Sequence, residues 1–89
     1  MQTMKQWQTE ILIGENEGRT YAEARLTTEV GDRLVGIGTA SCNPDDMDVP
    51  EIGDEVAVAR ALLDLGSQLM AVASSDIEGA THEHVHLLP

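Results

Sequence analysis

Three histidines, His82, His84 and His86, occupy alternate positions near the end of an 89-residue chain. In an extended segment that spacing turns all three imidazoles to one side, and imidazole is a common ligand for zinc, nickel and copper. A tetrahedral site needs a complete donor set on a fixed frame, and no second ligand cluster supplies one. Upstream, Asp45, Asp46, Asp48, Glu51, Asp54 and Glu55 crowd six carboxylates together, a supply of hard oxygen ligands for a divalent cation. The spacing departs from an EF-hand, whose twelfth position takes a Glu and here falls on Val56. A plainer account is helix-start chemistry: unpaired N–H groups and the macrodipole favour anions there by about 0.3–1 kcal/mol each. The same six acids form a candidate interaction patch for a basic protein.

Cys42 is the single cysteine, which excludes an internal disulfide and fits a reducing compartment. As a nucleophile it would need an orienting base, and no spacing brings a histidine beside it, so it reads as a packing residue. Gly36-Ile37-Gly38 begins like a phosphate loop, but the third glycine position is Ser41 and no helix follows at once. The expectation is therefore a non-enzymatic protein with no metal and no cofactor.

The elements that would position these residues follow from periodicity. Trp7, Thr9, Ile11 and Ile13 alternate with Gln6, Gln8, Glu10 and Leu12, which predicts a strand with one buried face. Glu15-Asn16-Glu17-Gly18 supplies Asn and Gly, residues that tolerate the positive φ of a tight turn, and predicts a hairpin. A second strand over about 19–28 sets Ala22, Ala24 and Leu26 against Tyr21, Glu23, Arg25 and Thr27, one dry face and one wet. After a turn at Gly31-Asp32, a third strand over 33–42 places Leu34, Gly36, Gly38 and Ala40 on one face, a shallow strip that another backbone can approach closely.

The segment 43–50 reads as loop, and a long helix follows. Its apolar residues form two stripes, one through Ile52, Val56, Ala59, Leu63, Gly66, Met70, Ala73 and Ile77, the other through Val58, Leu62, Leu65, Leu69 and Val72. Together they span an arc of about 200°, roughly twice that of an ordinary surface helix. One small sheet cannot hide so wide a face. Part is expected to pack on the sheet and part on a second copy of the chain, with Val58, Leu62, Leu65, Leu69 and Val72 as the core and dimer face. Gly66 is expected to mark a close crossing.

Five basic residues stand against sixteen acidic ones, for a net charge of -11. Residues 43–89 carry Arg60 alone against ten acids. Nucleic-acid binding draws on Lys and Arg displacing counterions from phosphates, so direct contact with RNA or DNA is disfavoured, as is an anionic membrane surface. No run of about 20 uninterrupted apolar residues is present. Residues 1–7 hold only Lys5 as a base and do not read as a signal peptide, so a cytoplasmic protein is expected. A single domain spans 1–89, with an ordered core over about 5–81 and a tail over 82–89.

Blocks along the chain carry a family resemblance. Thr20 to Leu26, Leu34 to Ala40, Asn43-Pro44-Asp45, Val49 to Glu55, Val58 to Leu62, Ser75 to Glu78 and Thr81-His82 resemble a family of small actinobacterial proteins of unknown function. The resemblance implies an α+β domain of three antiparallel strands and one long C-terminal helix (β-β-β-α), described as double-stranded-RNA-binding-domain-like and dimeric. It also implies an association with dormancy and low-oxygen stress, and a similarity to ribosome hibernation-promoting factors. His84 and His86 lie outside its pattern. The expected function is a stress protein acting through protein–protein contact with a basic or ribosome-associated partner. A hibernation-type ribosome or RNA binder is the alternative, and a metal-binding or small hydrolytic protein is a further one.

Overall fold

In the computed structural model, which describes residues 3–31, 33–41, 49–81 and 87, the alternating segments resolve into three strands. β1 (Gln8–Asn16), β2 (Arg19–Thr27) and β3 (Arg33–Ser41) form an antiparallel sheet in the order β1-β2-β3, and α1 (Pro50–Thr81) follows. This is the β-β-β-α order expected from the sequence. Asn16 pairs with Arg19, which leaves Glu17 and Gly18 as a two-residue loop with φ of 50° and 77°. Two positive φ values give the mirror-image turn whose twist suits a tight hairpin. Glu17, rather than Asn16, takes the left-handed position. The second turn closes with the Gly31 N–H donating to Thr28 O at 3.1 Å.

The core lies between α1 and two of the strands. Ala22, Ala24, Leu26 and Ala40 are buried beneath Ala57, Ala61 and Leu65 of the helix. Register sets Gly38 beside Ala22 and Gly36 beside Ala24, so the strip predicted on β3 is where the helix backbone descends. A Cβ at Gly38 would collide with the backbone of Ala57 and Ala61, and one at Gly36 would fall 2.5 Å from Leu65 N. Gly53 continues the seam, since a Cβ there would meet Thr20 Oγ1 at 2.8 Å. Small residues at Gly53, Ala57 and Ala61 thus let helix and sheet approach closely.

Length explains much of what stays uncovered. A 32-residue helix is about 48 Å long, whereas nine-residue strands span about 30 Å. The end of α1 overhangs the sheet, and no residue beyond Leu65 is fully buried. By length and composition α1 is apolar enough to cross a bilayer, which a count of uninterrupted apolar residues does not register; its mid-helix charges Arg60 and Asp64 are engaged with β3.

Two expectations need correcting. The alternation in β1 predicts a buried face, yet all nine of its residues are exposed, because α1 lies over β3 and β2 and barely reaches β1. Gly66 marks no close crossing within the chain, since a Cβ there would have nothing within 4 Å.

Candidate interaction surface

The helix meets the rim of the sheet through polar side chains as well as through its apolar seam. Arg60 Nη1 donates to Thr39 O at 2.7 Å, the Ile37 N–H donates to Asp64 Oδ2 at 2.8 Å, and Gln68 Nε2 donates to Val35 O at 2.7 Å. Gln68 Nε2 also reaches Asp64 Oδ2 at 3.2 Å. The three contacts repeat because four helical residues rise about 6 Å and two strand residues about 6.6 Å. The outer edge of β3, which has no neighbouring strand among the described residues, is partly covered by these side chains instead.

That arrangement fixes which way the apolar flank of α1 points. Successive residues turn by about 100° around a helix. Arg60, just before buried Ala61, reaches the outer edge of β3, so Leu62, just after it, turns the opposite way, toward β1. Val58 and Leu69 share that side; both are half-buried and pack against the core. Leu62 remains 46% exposed.

Below this flank lies the helix-side row of β1. Thr9, Ile11 and Ile13 pair with Leu26, Ala24 and Ala22, so they point to the same face as the core. Ile11 and Ile13 are nonetheless 37% and 47% exposed, and Trp7 is exposed just before the strand. Flank and row together make a ledge, walled by α1 and floored by β1, with none of the described residues over it. Val72 also belongs to the apolar set predicted on α1; it is exposed near the end of the sheet, whereas Leu65 is buried in the core.

The opposite face of the sheet carries a polar chain. Tyr21 donates its hydroxyl to Glu23 Oε1 at 2.6 Å, and Arg25 Nε donates to Glu23 Oε2 at 2.8 Å, with Nη2 also 2.8 Å from that oxygen. The hydroxyl of Tyr21 and then the guanidinium of Arg25 hold the Glu23 carboxyl below its usual range, and the carboxylate raises the Tyr21 phenol.

Of the predicted acidic patch, Glu51, Asp54 and Glu55 occupy the first turns of α1, where one oxygen of Asp54 is buried without a hydrogen-bond partner. Asp45, Asp46 and Asp48 lie outside the described residues, as do Cys42, His82, His84 and His86. Among the described residues no three His, Cys, Asp or Glu side chains are grouped to hold a metal ion. A cleft of roughly 620 Å³ beside the β1–β2 turn mixes Glu15 and Glu17 with Arg19 and Arg60. Sequence reading missed the edge-covering trio; its signal was the spacing of Arg60, Asp64 and Gln68 by fours within the mostly apolar middle of the helix.

Residues 5–86 match the family model described as Rv2632c-like. The chain is 51% identical over 81 residues to the uncharacterized protein Rv2632c of Mycobacterium tuberculosis (strain ATCC 25618 / H37Rv), covering 91% of this chain and 86% of that one. It is 49% identical over 85 residues to the uncharacterized protein Mb1767 of Mycobacterium bovis, covering 96% and 89%. The crystal structure of Rv2632c superposes with a TM-score of 0.84 at 49% identity, over 92% of this chain and 96% of that chain.

Proposed function

We propose that this chain, which belongs to the Rv2632c-like family, is a non-enzymatic, dimeric protein of the cytoplasm that acts by binding another protein. The observation that carries the reading is the ledge: Leu62, Ile11 and Ile13 stay exposed on the face where the core should be. Contiguous apolar surface of this kind marks a protein contact. In this reading the first cover is a second copy of the chain, and the functional partner is a basic protein drawn by the acidic residues at the start of α1. Dormancy or low-oxygen stress, implied by the family resemblance, is the proposed setting, and a ribosomal protein is one basic partner that fits it.

Direct RNA contact is not part of the proposal, because five basic residues against sixteen acidic ones cannot supply the phosphate contacts that affinity requires. The test is affinity purification of tagged protein from stressed cells, with and without nuclease. A stoichiometric basic protein that survives nuclease supports the reading. Recovery of the protein alone under several stresses, or of RNA that resists high salt, overturns it.

A further inference from the structure

Resting on the dimeric reading above, we infer that the dimer forms by antiparallel pairing of β1 with β1 of a second copy, centred on Leu12, to give one continuous six-stranded sheet.

The two edges of the sheet are built differently. Arg60, Asp64 and Gln68 occupy the outer edge of β3. β1, at the other edge, is nine residues long, exposed throughout, and contains neither Lys nor Pro; its two charges, Glu10 and Glu15, lie on either side of an apolar centre. Its centre is Ile11-Leu12-Ile13.

The sequence of β1 also complements itself. A two-fold axis perpendicular to the sheet keeps both helices on one face and pairs residues of equal parity. Centred on Leu12, that axis sets Leu12 against Leu12, Ile11 against Ile13, Glu10 against Gly14, Thr9 against Glu15 and Gln8 against Asn16. All nine residues are paired, apolar meets apolar, and no acid faces an acid. Centring on Glu10 or Glu15 sets two glutamates directly opposite each other, which cross-strand pairing disfavours. Centring on Ile11 or Ile13 sets Ile13 against Thr9 or Ile11 against Glu15. Only the Leu12 register keeps the Ile11–Ile13 row continuous across the junction. It also brings the two ledges face to face.

Cross-linking reads this register directly. Opposed strand residues have Cα atoms about 4.5–5.5 Å apart, inside the range a disulfide spans. Leu12→Cys in a Cys42→Ser background, oxidised with diamide, is expected to convert most of the dimer to a covalent one. Gly14→Cys, where an added Cβ meets nothing within 4 Å, is expected not to cross-link, since in this register the two copies of position 14 lie about 13 Å apart along the strands. Light scattering at micromolar concentration in moderate salt completes the test. Wild type should show twice the chain mass, and Ile11→Lys should weaken association at least 100-fold with unchanged circular dichroism. A monomeric wild type overturns the dimeric reading and this inference together. A dimeric wild type that cross-links at Gly14→Cys but not at Leu12→Cys, or that stays dimeric with Ile11→Lys, overturns the β1 pairing alone.

Discussion

Replacing Gly38 by Ala and Gly66 by Ala adds the same methyl group at two places, and the structure assigns the two changes opposite signs. At Gly38 the new Cβ would lie 2.8 Å from Arg60 C and closer still to Ala57 O and Ala61 N. Every one of these atoms is backbone, so no rotamer change relieves the overlap; the helix must lift off the seam. Overpacking of this kind costs about 1–3 kcal/mol. A domain of this size has about 4–13 kcal/mol in all. With a melting shift of about 4–8 °C per kcal/mol, a loss of about 2 kcal/mol lowers Tm by about 8–16 °C. At Gly66 a Cβ meets nothing within 4 Å, and exchanging a mid-helix Gly for Ala gains up to about 1 kcal/mol, so Tm should rise by about 4–8 °C. Both variants are melted by far-UV circular dichroism at several protein concentrations, because self-association adds a concentration-dependent term. Gly38→Ala melting at or above wild type would refute the seam. Gly66→Ala melting below wild type would show another molecule's backbone packed at that glycine.

The hairpin and the two polar networks give further expectations. Glu17→Asn should raise stability by about 0.5–1 kcal/mol, read as a higher urea midpoint, because Asn tolerates the left-handed φ of 50° better than Glu. Asp64→Ala should cost about 1 kcal/mol and abolish protection of the Ile37 amide in hydrogen exchange, since that N–H loses its acceptor; unchanged protection would show that the edge is not covered as described. Tyr21→Phe should move the Glu23 titration up toward its ordinary value, followed by NMR of the side-chain carboxyl carbon. In wild type the stabilisation linked to Glu23 is present above its unfolded pKa and is lost as pH falls through the depressed folded value. The stabilisation linked to Tyr21 runs the other way: it is present below 10.0 and lost as pH rises through the raised value. A Glu23 titration indifferent to Tyr21→Phe would sink this account.

How much of this was legible depended on whether a residue's partner was local. Ala22, Ala24 and Leu26 announced the dry face of β2, and Gly36 with Gly38 announced a place for close approach, because alternation and small size act at the level of one strand. Trp7, Thr9, Ile11 and Ile13 show the same alternation, but a pattern states only that a face is apolar, and cannot state what lies above it. The excess width of the helix was visible in Leu62, which the sheet leaves exposed, whereas Val72, on the same stripe as buried Leu65, is exposed because the sheet ends beneath it. Arg60, Asp64 and Gln68 carry no local signal of their partner, a strand more than twenty residues earlier. Glu17 misled for a different reason, since two-residue loops favour Asn or Gly at that site and this chain places Asn16 one position too soon.

The sealed border of β3 limits what the sheet can become. Fibrous stacking requires each unit to receive a strand on one side and offer one on the other. This unit has a single receptive border. Whichever strand adds at β1, Arg60, Asp64 and Gln68 hold Thr39 O, Ile37 N and Val35 O at the opposite rim, so an exposed run of Ile-Leu-Ile coexists with a border that opposes a further strand.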